Sequence, residues 1–113
     1  MWLINDSSGL LTDLYELTMA QVYFDRGLAD EAHFEVSVRR LPRHWGFFVM
    51  AGLKELESYL AGFGFSNSDV DYLRSLGKFS DDFLDYLSRL RAQVTVRCLP
   101  EGTLFFPNEP ILE

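Results

Sequence analysis

The sequence predicts an α+β fold, in which helices pack on a small, mostly antiparallel sheet. Apolar residues recur every three or four positions in some segments and alternate with polar residues in others, which indicates helices and strands respectively. Turn-forming Gly, Pro, Asn and Asp residues separate these segments. Because 113 residues are one domain's length, we expect a single domain with a modest core over residues 1–113.

The first predicted helix covers residues 13–26, after an irregular lead-in over residues 1–9. Thr12 or Asp13 can accept a hydrogen bond from a first-turn N–H, and Asp13 with Glu16 approximates a capping box. Gly27 is placed to end the helix in a left-handed conformation. Helical spacing predicts one buried face, made of Leu14, Leu17, Gln21 and Val22, beside a second apolar face made of Tyr15, Met19 and Tyr23.

Three more helices are predicted in the middle of the chain, over residues 52–63, 66–76 and 80–91. Gly62 and Gly64 stop the first of them. Ser66 with Asp69 begins the second, which ends before Gly77, and Ser80 begins the third. The side chains expected to be buried follow the helical spacing: Leu53, Leu56, Leu60, Phe63, Val70, Leu73, Leu76, Phe83, Leu84, Leu87 and Leu90.

Strands are predicted over residues 34–38 and 94–98, where apolar and polar residues alternate. The apolar runs at residues 104–106 and 110–112, separated by a turn, predict a further strand and the beginning of another. In the first strand, Phe34, Val36 and Val38 are expected on a buried face, and Pro42 ends the strand. Cys98 is expected on the apolar face of the second strand, as part of the core. Residues 47–50 form an apolar run too short to assign. The chain stops within the last apolar run, so we expect it to be part of a longer protein.

Composition argues against several classes of function. Ten Lys and Arg against seventeen Asp and Glu give a net charge of −7, which repels nucleic acids and anionic membranes. One cysteine rules out an internal disulfide, and no apolar stretch approaches the roughly 20 residues of a membrane span. With no secretory signal at the N-terminus, we expect a soluble, cytoplasmic protein.

Standard catalytic motifs are absent from the sequence. It has no glycine-rich phosphate loop, no histidines at metal-binding spacing and no serine in a nucleophile elbow. His33 and His44 are expected to be surface or structural residues.

Two patches are candidates for ligand contact. Tyr15 and Asp13 lie at the start of the first predicted helix, although a tyrosine at such a position is more commonly a half-buried packing residue with its hydroxyl bound to the backbone. Arg39, Arg40 and Arg43 gather at a strand end, where arginine forks can bind phosphate oxygens. The alternative for these arginines is pairing with nearby surface acids.

Several motifs in order carry a resemblance to a known family. Residues 11–20 read LTDLYELTMA, Phe34-Glu35 leads to Arg39-Arg40-Leu41-Pro42, residues 51–53 read AGL, and residues 96–110 read VRCLPEGTLFFPNEP. Together they closely resemble the N-terminus of nicotinate phosphoribosyltransferases. The first and last motifs are specific, whereas the helices between them are generic.

The resemblance implies an enzyme of NAD salvage that joins nicotinate to 5-phosphoribosyl 1-diphosphate and couples this to ATP hydrolysis. It also implies the fold of a type II phosphoribosyltransferase, a homodimer in which a hammerhead-type α+β domain precedes an α/β barrel. Mg²⁺, a phosphohistidine and the main phosphate loops would belong to that barrel, and His33 and His44 match neither role. These 113 residues alone are expected to be inactive and to bind no cofactor.

Four residues acquire roles from the resemblance. Tyr15 matches a tyrosine that stacks on the pyridine ring in the partner subunit's barrel, and Asp13 matches its acidic companion. Arg39 or Arg40 matches an arginine near the phosphates; strand alternation puts Arg39 on the solvent side without deciding between them. Two alternatives stay open, namely a non-catalytic dimerisation module and a sibling enzyme that uses nicotinamide or quinolinate.

Overall fold

The computed structural model describes residues 8–113, and most of the predicted lead-in therefore lies outside the described residues. Within this range the chain forms a short 3₁₀ helix, four α-helices and two short strands. In order these are the 3₁₀ helix Ser8–Leu10, α1 Leu14–Asp25, β1 Phe48–Val49, α2 Leu53–Ala61, α3 Asn67–Ser75, α4 Asp81–Arg89 and β2 Leu104–Phe105. No helix in this range is long and apolar enough to cross a membrane.

The chain divides into two compact units, which are described separately. Among the described residues, the first unit comprises residues 8–30 and 57–93, and the second comprises residues 31–56 and 94–113. The α+β class is confirmed, while a single domain over residues 1–113 stays a prediction.

The core of the first unit lies among α1, α3 and α4. Phe83 and Leu84 are fully buried there, and the Phe83 ring lies 5.6 Å from that of Phe24 and 5.8 Å from that of Phe79. The buried members of this cluster are Leu17, Phe65, Val70, Leu73, Phe83, Leu84 and Leu87. The apolar positions predicted for the third and fourth helices therefore form the centre of the unit.

Helix α1 buries only part of the predicted face. Leu17 is buried, and Ala20 and Phe24 pack against the core, whereas Leu14 and Val22 are exposed. The Phe24 ring lies 5.0 Å from the Tyr86 ring of α4, so the contact with α4 runs along the line from Leu17 to Phe24. Because α1 is apolar around much of its circumference, its own pattern could not identify the side that α4 covers.

Several helix ends are as the sequence predicts. Ser66 caps α3 in a full capping box with Asp69, and the Ser80 hydroxyl accepts the N–H of Phe83 at the start of α4. Gly27 and Gly77 adopt positive φ after α1 and α3. In α2 no side chain is fully buried, although Leu53, Leu56, Leu60 and nearby Phe63 are partly buried as predicted.

The second unit contains the sheet, in which β1 pairs with β2 in antiparallel register. Phe48 lies opposite Phe105, and their rings stack at 5.2 Å. The unassigned run at residues 47–50 thus supplies β1. The Glu101 carboxylate accepts the N–H groups of Gly52 and Leu53 at 3.0 and 2.8 Å, which caps the start of α2.

The predicted strands at residues 34–38 and 94–98 form no ladder. Val36 and Cys98 each make only an isolated antiparallel bridge, both to Leu112. Phe34 is 79% exposed and Cys98 is also exposed, so the predicted burial of this face and of the cysteine is wrong. The alternating face is exposed because, among the described residues of this unit, only the segment at Leu112 bridges to it and no helix or sheet packs on it.

Candidate functional site

The start of α1 holds the first pair of candidate residues, Asp13 and Tyr15. Asp13 has extended backbone angles, φ −83° and ψ 145°, and is the N-cap residue, but its side chain makes no capping hydrogen bond. The Thr12 hydroxyl instead donates to the Glu16 carboxylate. The predicted capping box between Asp13 and Glu16 is therefore wrong, because Glu16 is engaged by the residue before the cap.

This arrangement leaves the Asp13 carboxylate exposed at the positive end of the helix dipole. No side chain accepts the first-turn N–H of Tyr15, a bond that an N-cap side chain commonly makes. An exposed acid and an uncapped N–H group thus lie within one helical turn, next to the Tyr15 ring.

The Tyr15 side chain points away from the core of its own unit and is 60% exposed. Its backbone carbonyl accepts the Thr18 hydroxyl at 2.8 Å, and among the described residues the phenol ring has no aromatic partner. Among the described residues the Tyr15 ring is not packed as the half-buried alternative requires, and its role in ligand contact stays a prediction. The ring is available to a group outside this unit.

Tyr15 belongs to an apolar stripe that the chain itself does not cover. Tyr15, Met19 and Val22 follow one another at spacings of four and three on one side of α1, and all three are exposed; we call them the outer stripe. Apolar residues contiguous on a helix surface commonly mark interaction sites. The outer stripe therefore presents Tyr15 within a larger apolar contact surface.

A groove in the first unit was not predicted from the sequence. Its volume is about 710 Å³, and the residues that line it are mostly apolar. Aromatic side chains on its wall include Tyr23, Phe24, Tyr59, Phe63, Phe65 and Tyr86. Their spacing is that of ordinary core positions, so the sequence alone gives no signal for a groove here. Tyr15 and Asp13 are not among its lining residues.

The second pair of candidates, Arg39 and Arg40, lies in the second unit. Both side chains are exposed, as is that of Arg43. Among the described residues, the ion pairs involve His33 and Arg74 and none of these three arginines. The alternative in which the cluster pairs with nearby acids is therefore wrong for the described part of the chain, and the guanidinium groups are available to an anion.

The structure brings Asp13 and Tyr15 together on one helix turn, and Arg39 and Arg40 on one extended segment. The two pairs belong to different units. Each pair is therefore a separate candidate for ligand contact in this chain, one aromatic and acidic, the other basic.

The two histidines are both exposed. His33 lies 3.8 Å from Glu31, and His44 occupies a turn with φ +69°. No group of three His, Cys, Asp or Glu side chains in residues 8–113 is placed to hold a metal ion.

Comparison with known proteins gives the family. The model of the nicotinate phosphoribosyltransferase N-terminal domain matches residues 10–113. The chain belongs to the nicotinate phosphoribosyltransferase family. It is 44% identical over 104 residues to a nicotinate phosphoribosyltransferase of Mycobacterium tuberculosis, and 40% identical over 109 residues to that of Bacillus subtilis. These matches cover 92% and 96% of this chain.

The fold agrees with that of a solved family member. The crystal structure of human nicotinic acid phosphoribosyltransferase superposes with a TM-score of 0.77 at 41% identity, over 91% of this chain and 21% of the human one. The chain likewise spans 22% of the length of the Mycobacterium tuberculosis and Bacillus subtilis relatives. It corresponds to the N-terminal domain of this family.

Proposed function

We propose that this chain acts as the N-terminal domain of a nicotinate phosphoribosyltransferase. In the proposed reaction the pyridine nitrogen of nicotinate attacks the anomeric carbon of 5-phosphoribosyl 1-diphosphate, diphosphate leaves, and nicotinate mononucleotide forms. The family match and the names of its relatives support this assignment. The chain's part in the reaction is to supply two half-sites that hold the reactants.

The observation that carries the proposal is the exposure of Tyr15. A large aromatic side chain that is 60% exposed, on the first turn of a well-formed helix, is not needed by the core of its own unit. A phenol ring held this way can stack on an electron-poor pyridine ring. Such stacking fixes the pyridine nitrogen in an attack geometry, which lowers the barrier by positioning.

Asp13 complements Tyr15 electrostatically. Its exposed carboxylate, free of the capping role, lies within the same helical turn. Ribosyl transfer develops positive charge on the anomeric carbon and then on the pyridinium ring. A nearby carboxylate favours that charge more in the transition state than in the neutral ring, so it contributes to the rate.

Arg39 and Arg40 suit the other reactant. The departing diphosphate gains negative charge in the transition state, and exposed guanidinium groups can bind its oxygens in pairs. The net charge of the chain is −7, so this basic cluster stands out as the local exception. We assign Arg39 and Arg40 jointly to the phosphates of 5-phosphoribosyl 1-diphosphate.

The outer stripe leads us to propose a homodimer with a shared active site. Tyr15, Met19 and Val22 expose apolar surface that a second subunit would bury, and this would deliver the Tyr15 ring to the partner's cleft. Replacing Val22 by Glu in the full-length protein should then weaken the dimer, as measured by sedimentation equilibrium. An unchanged dimer would show that the stripe faces something else.

Use of ATP and Mg²⁺ is proposed for the full-length enzyme alone. The barrel that the family resemblance implies would hold both groups, and we assign neither of them to a residue of this chain. A single cysteine in the sequence is typical of proteins in reducing compartments, and we propose that the enzyme acts in the cytoplasm.

The experiment that tests this function is nicotinate-dependent release of diphosphate by the full-length protein. We expect turnover with nicotinate and 5-phosphoribosyl 1-diphosphate, and weak competition by nicotinamide and quinolinate. Preferred use of either competitor would make the protein a sibling enzyme. Absence of turnover with all three, in a protein that still dimerises, would favour the non-catalytic module.

A further inference from the structure

A turn in the second unit holds a residue with an unusual backbone conformation. Asn108 has φ +64°, in the left-handed region that Gly and Asn tolerate and β-branched residues do not. The Glu109 carboxylate closes this turn by accepting the N–H of Phe106 at 3.0 Å. Asn108 is exposed, so burial does not explain why this residue is needed here.

The turn is attached to the segment that carries the arginines. The Asn108 N–H donates to the carbonyl oxygen of Val38 at 2.8 Å, immediately before Arg39. Two more bonds hold the same segment: the Ile111 N–H donates to Val36 at 2.9 Å, and the Val36 N–H donates to Leu112 at 2.8 Å. The bond from Asn108 is thus the last of these three before the arginine pair.

We propose that Asn108 is a positioning residue for Arg39 and Arg40 in the binding of 5-phosphoribosyl 1-diphosphate. This inference rests on the proposed function. Because these three hydrogen bonds hold the segment and no ladder does, its direction beyond Val38 depends on each of them. The left-handed conformation of Asn108 directs its N–H toward the Val38 carbonyl. A residue that cannot adopt this conformation loses the hydrogen bond, and the backbone at Arg39 and Arg40 is then less well fixed.

Preorganisation explains why this matters for binding. A long arginine side chain loses rotamer freedom when it binds a phosphate. If the backbone of the arginine is already fixed, less conformational entropy is lost on binding. Loosening the base should therefore weaken binding of the phosphoribosyl donor. Nicotinate does not contact the arginines in this proposal, so its binding should not change.

The test uses steady-state kinetics of the full-length enzyme with Asn108→Val, Asn108→Gly, and the double variant Arg39→Ala/Arg40→Ala with and without Asn108→Val. We expect Asn108→Val to raise the KM for 5-phosphoribosyl 1-diphosphate by about tenfold, which is the effect of losing one charge-assisted hydrogen bond between an arginine and a phosphate. The KM for nicotinate should stay constant. The Asn108→Gly variant should keep the normal KM for 5-phosphoribosyl 1-diphosphate, since Gly adopts positive φ without strain.

The matched control is Gly77→Val, which imposes the same strain at φ +64° in open space after α3. It should leave both KM values unchanged. If Asn108→Val does not fold, Asn108→Ala takes its place, because alanine shares the backbone penalty with a smaller side chain.

The outcomes separate this inference from the function beneath it. We expect Asn108→Val to add nothing further to the KM of the Arg39→Ala/Arg40→Ala variant, as required if Asn108 acts through the arginines. If the KM is raised in the Arg39→Ala/Arg40→Ala variant but not in Asn108→Val, only the positioning role is overturned. The same holds if Asn108→Val raises the KM of the arginine variant by the same factor as it raises that of the unmodified enzyme. A normal KM in the arginine variant overturns the phosphate assignment as well.

Discussion

Ser66 and Asp69 cap α3 reciprocally. The Asp69 N–H donates to the Ser66 hydroxyl at 3.2 Å, and the Ser66 N–H donates to the Asp69 carboxylate at 2.7 Å. Asp69 is only 4% exposed, so its charge is satisfied by backbone groups within the unit. At Asp13 the sequence predicts a similar box, and the structure does not form it.

This difference predicts unequal effects of alanine at the two sites. Ser66→Ala should lower the free energy of unfolding by about 1 kcal/mol, because it removes a formed cap. Asp13→Ala should change it by no more than about 0.5 kcal/mol, because no capping bond is lost. Urea denaturation of both variants measures this. Equal losses would show that Asp13 caps α1 in solution.

Phe83 should be among the most sensitive positions of the core. It is fully buried, with the rings of Phe24, Phe79 and Tyr86 within 6.2 Å. Phe83→Ala should cost about 3–5 kcal/mol through lost burial and the cavity left behind. The control is Phe34→Ala, which should change stability by no more than about 0.5 kcal/mol since Phe34 is exposed. A large loss at Phe34 would instead support the burial that the alternating pattern predicts.

Gly9 lies where no side chain fits. A Cβ there would be 2.7 Å from the Gly64 carbonyl oxygen and 2.8 Å from the Phe65 ring. Gly9→Ala should therefore destabilise the protein by about 1–3 kcal/mol, the usual cost of overpacking. Gly46→Ala, with nothing within 4 Å of the new Cβ, is the matched control and should be nearly neutral. Thermal unfolding of the two variants compares them directly, and similar melting temperatures would contradict the close approach.

The helical half of the fold could be predicted because its signals are local. Caps at Ser66 and Ser80, left-handed glycines at Gly27 and Gly77, and apolar spacing in α3 and α4 are each set by neighbouring residues. Local rules do not say which side of α1 faces α4. That choice depends on distant residues such as Tyr86, so the predicted face was partly wrong.

The strands were harder to predict because pairing is non-local. Alternation at residues 34–38 describes an extended segment, but a ladder depends on partners elsewhere in the chain, and the described residues of the second unit give this segment only an isolated bridge, to Leu112. The short run at residues 47–50 forms β1 because Phe105 stacks on Phe48, which its own sequence cannot reveal.

The candidate site likewise combines residues that the sequence identifies with features that only the structure shows. Residue types and motifs identify Asp13, Tyr15, Arg39 and Arg40, and the structure shows these side chains exposed. The missing capping bond of Asp13, and the lack of acidic partners for the arginines within residues 8–113, emerge only from the folded chain. The turn at Asn108 is also invisible to periodicity, since a left-handed residue leaves no pattern beyond its own identity.

The most direct test of the account is the nicotinate KM of the full-length enzyme with Tyr15→Ala. Loss of a stacked ring should raise it by about fivefold, corresponding to about 1 kcal/mol, while thermal stability stays unchanged. Tyr15→Phe should retain near-normal kinetics because it keeps the ring. Tyr72→Ala, which removes an equally exposed tyrosine from α3, should have no effect. An unchanged KM and kcat in Tyr15→Ala would contradict the claim that this ring holds the pyridine.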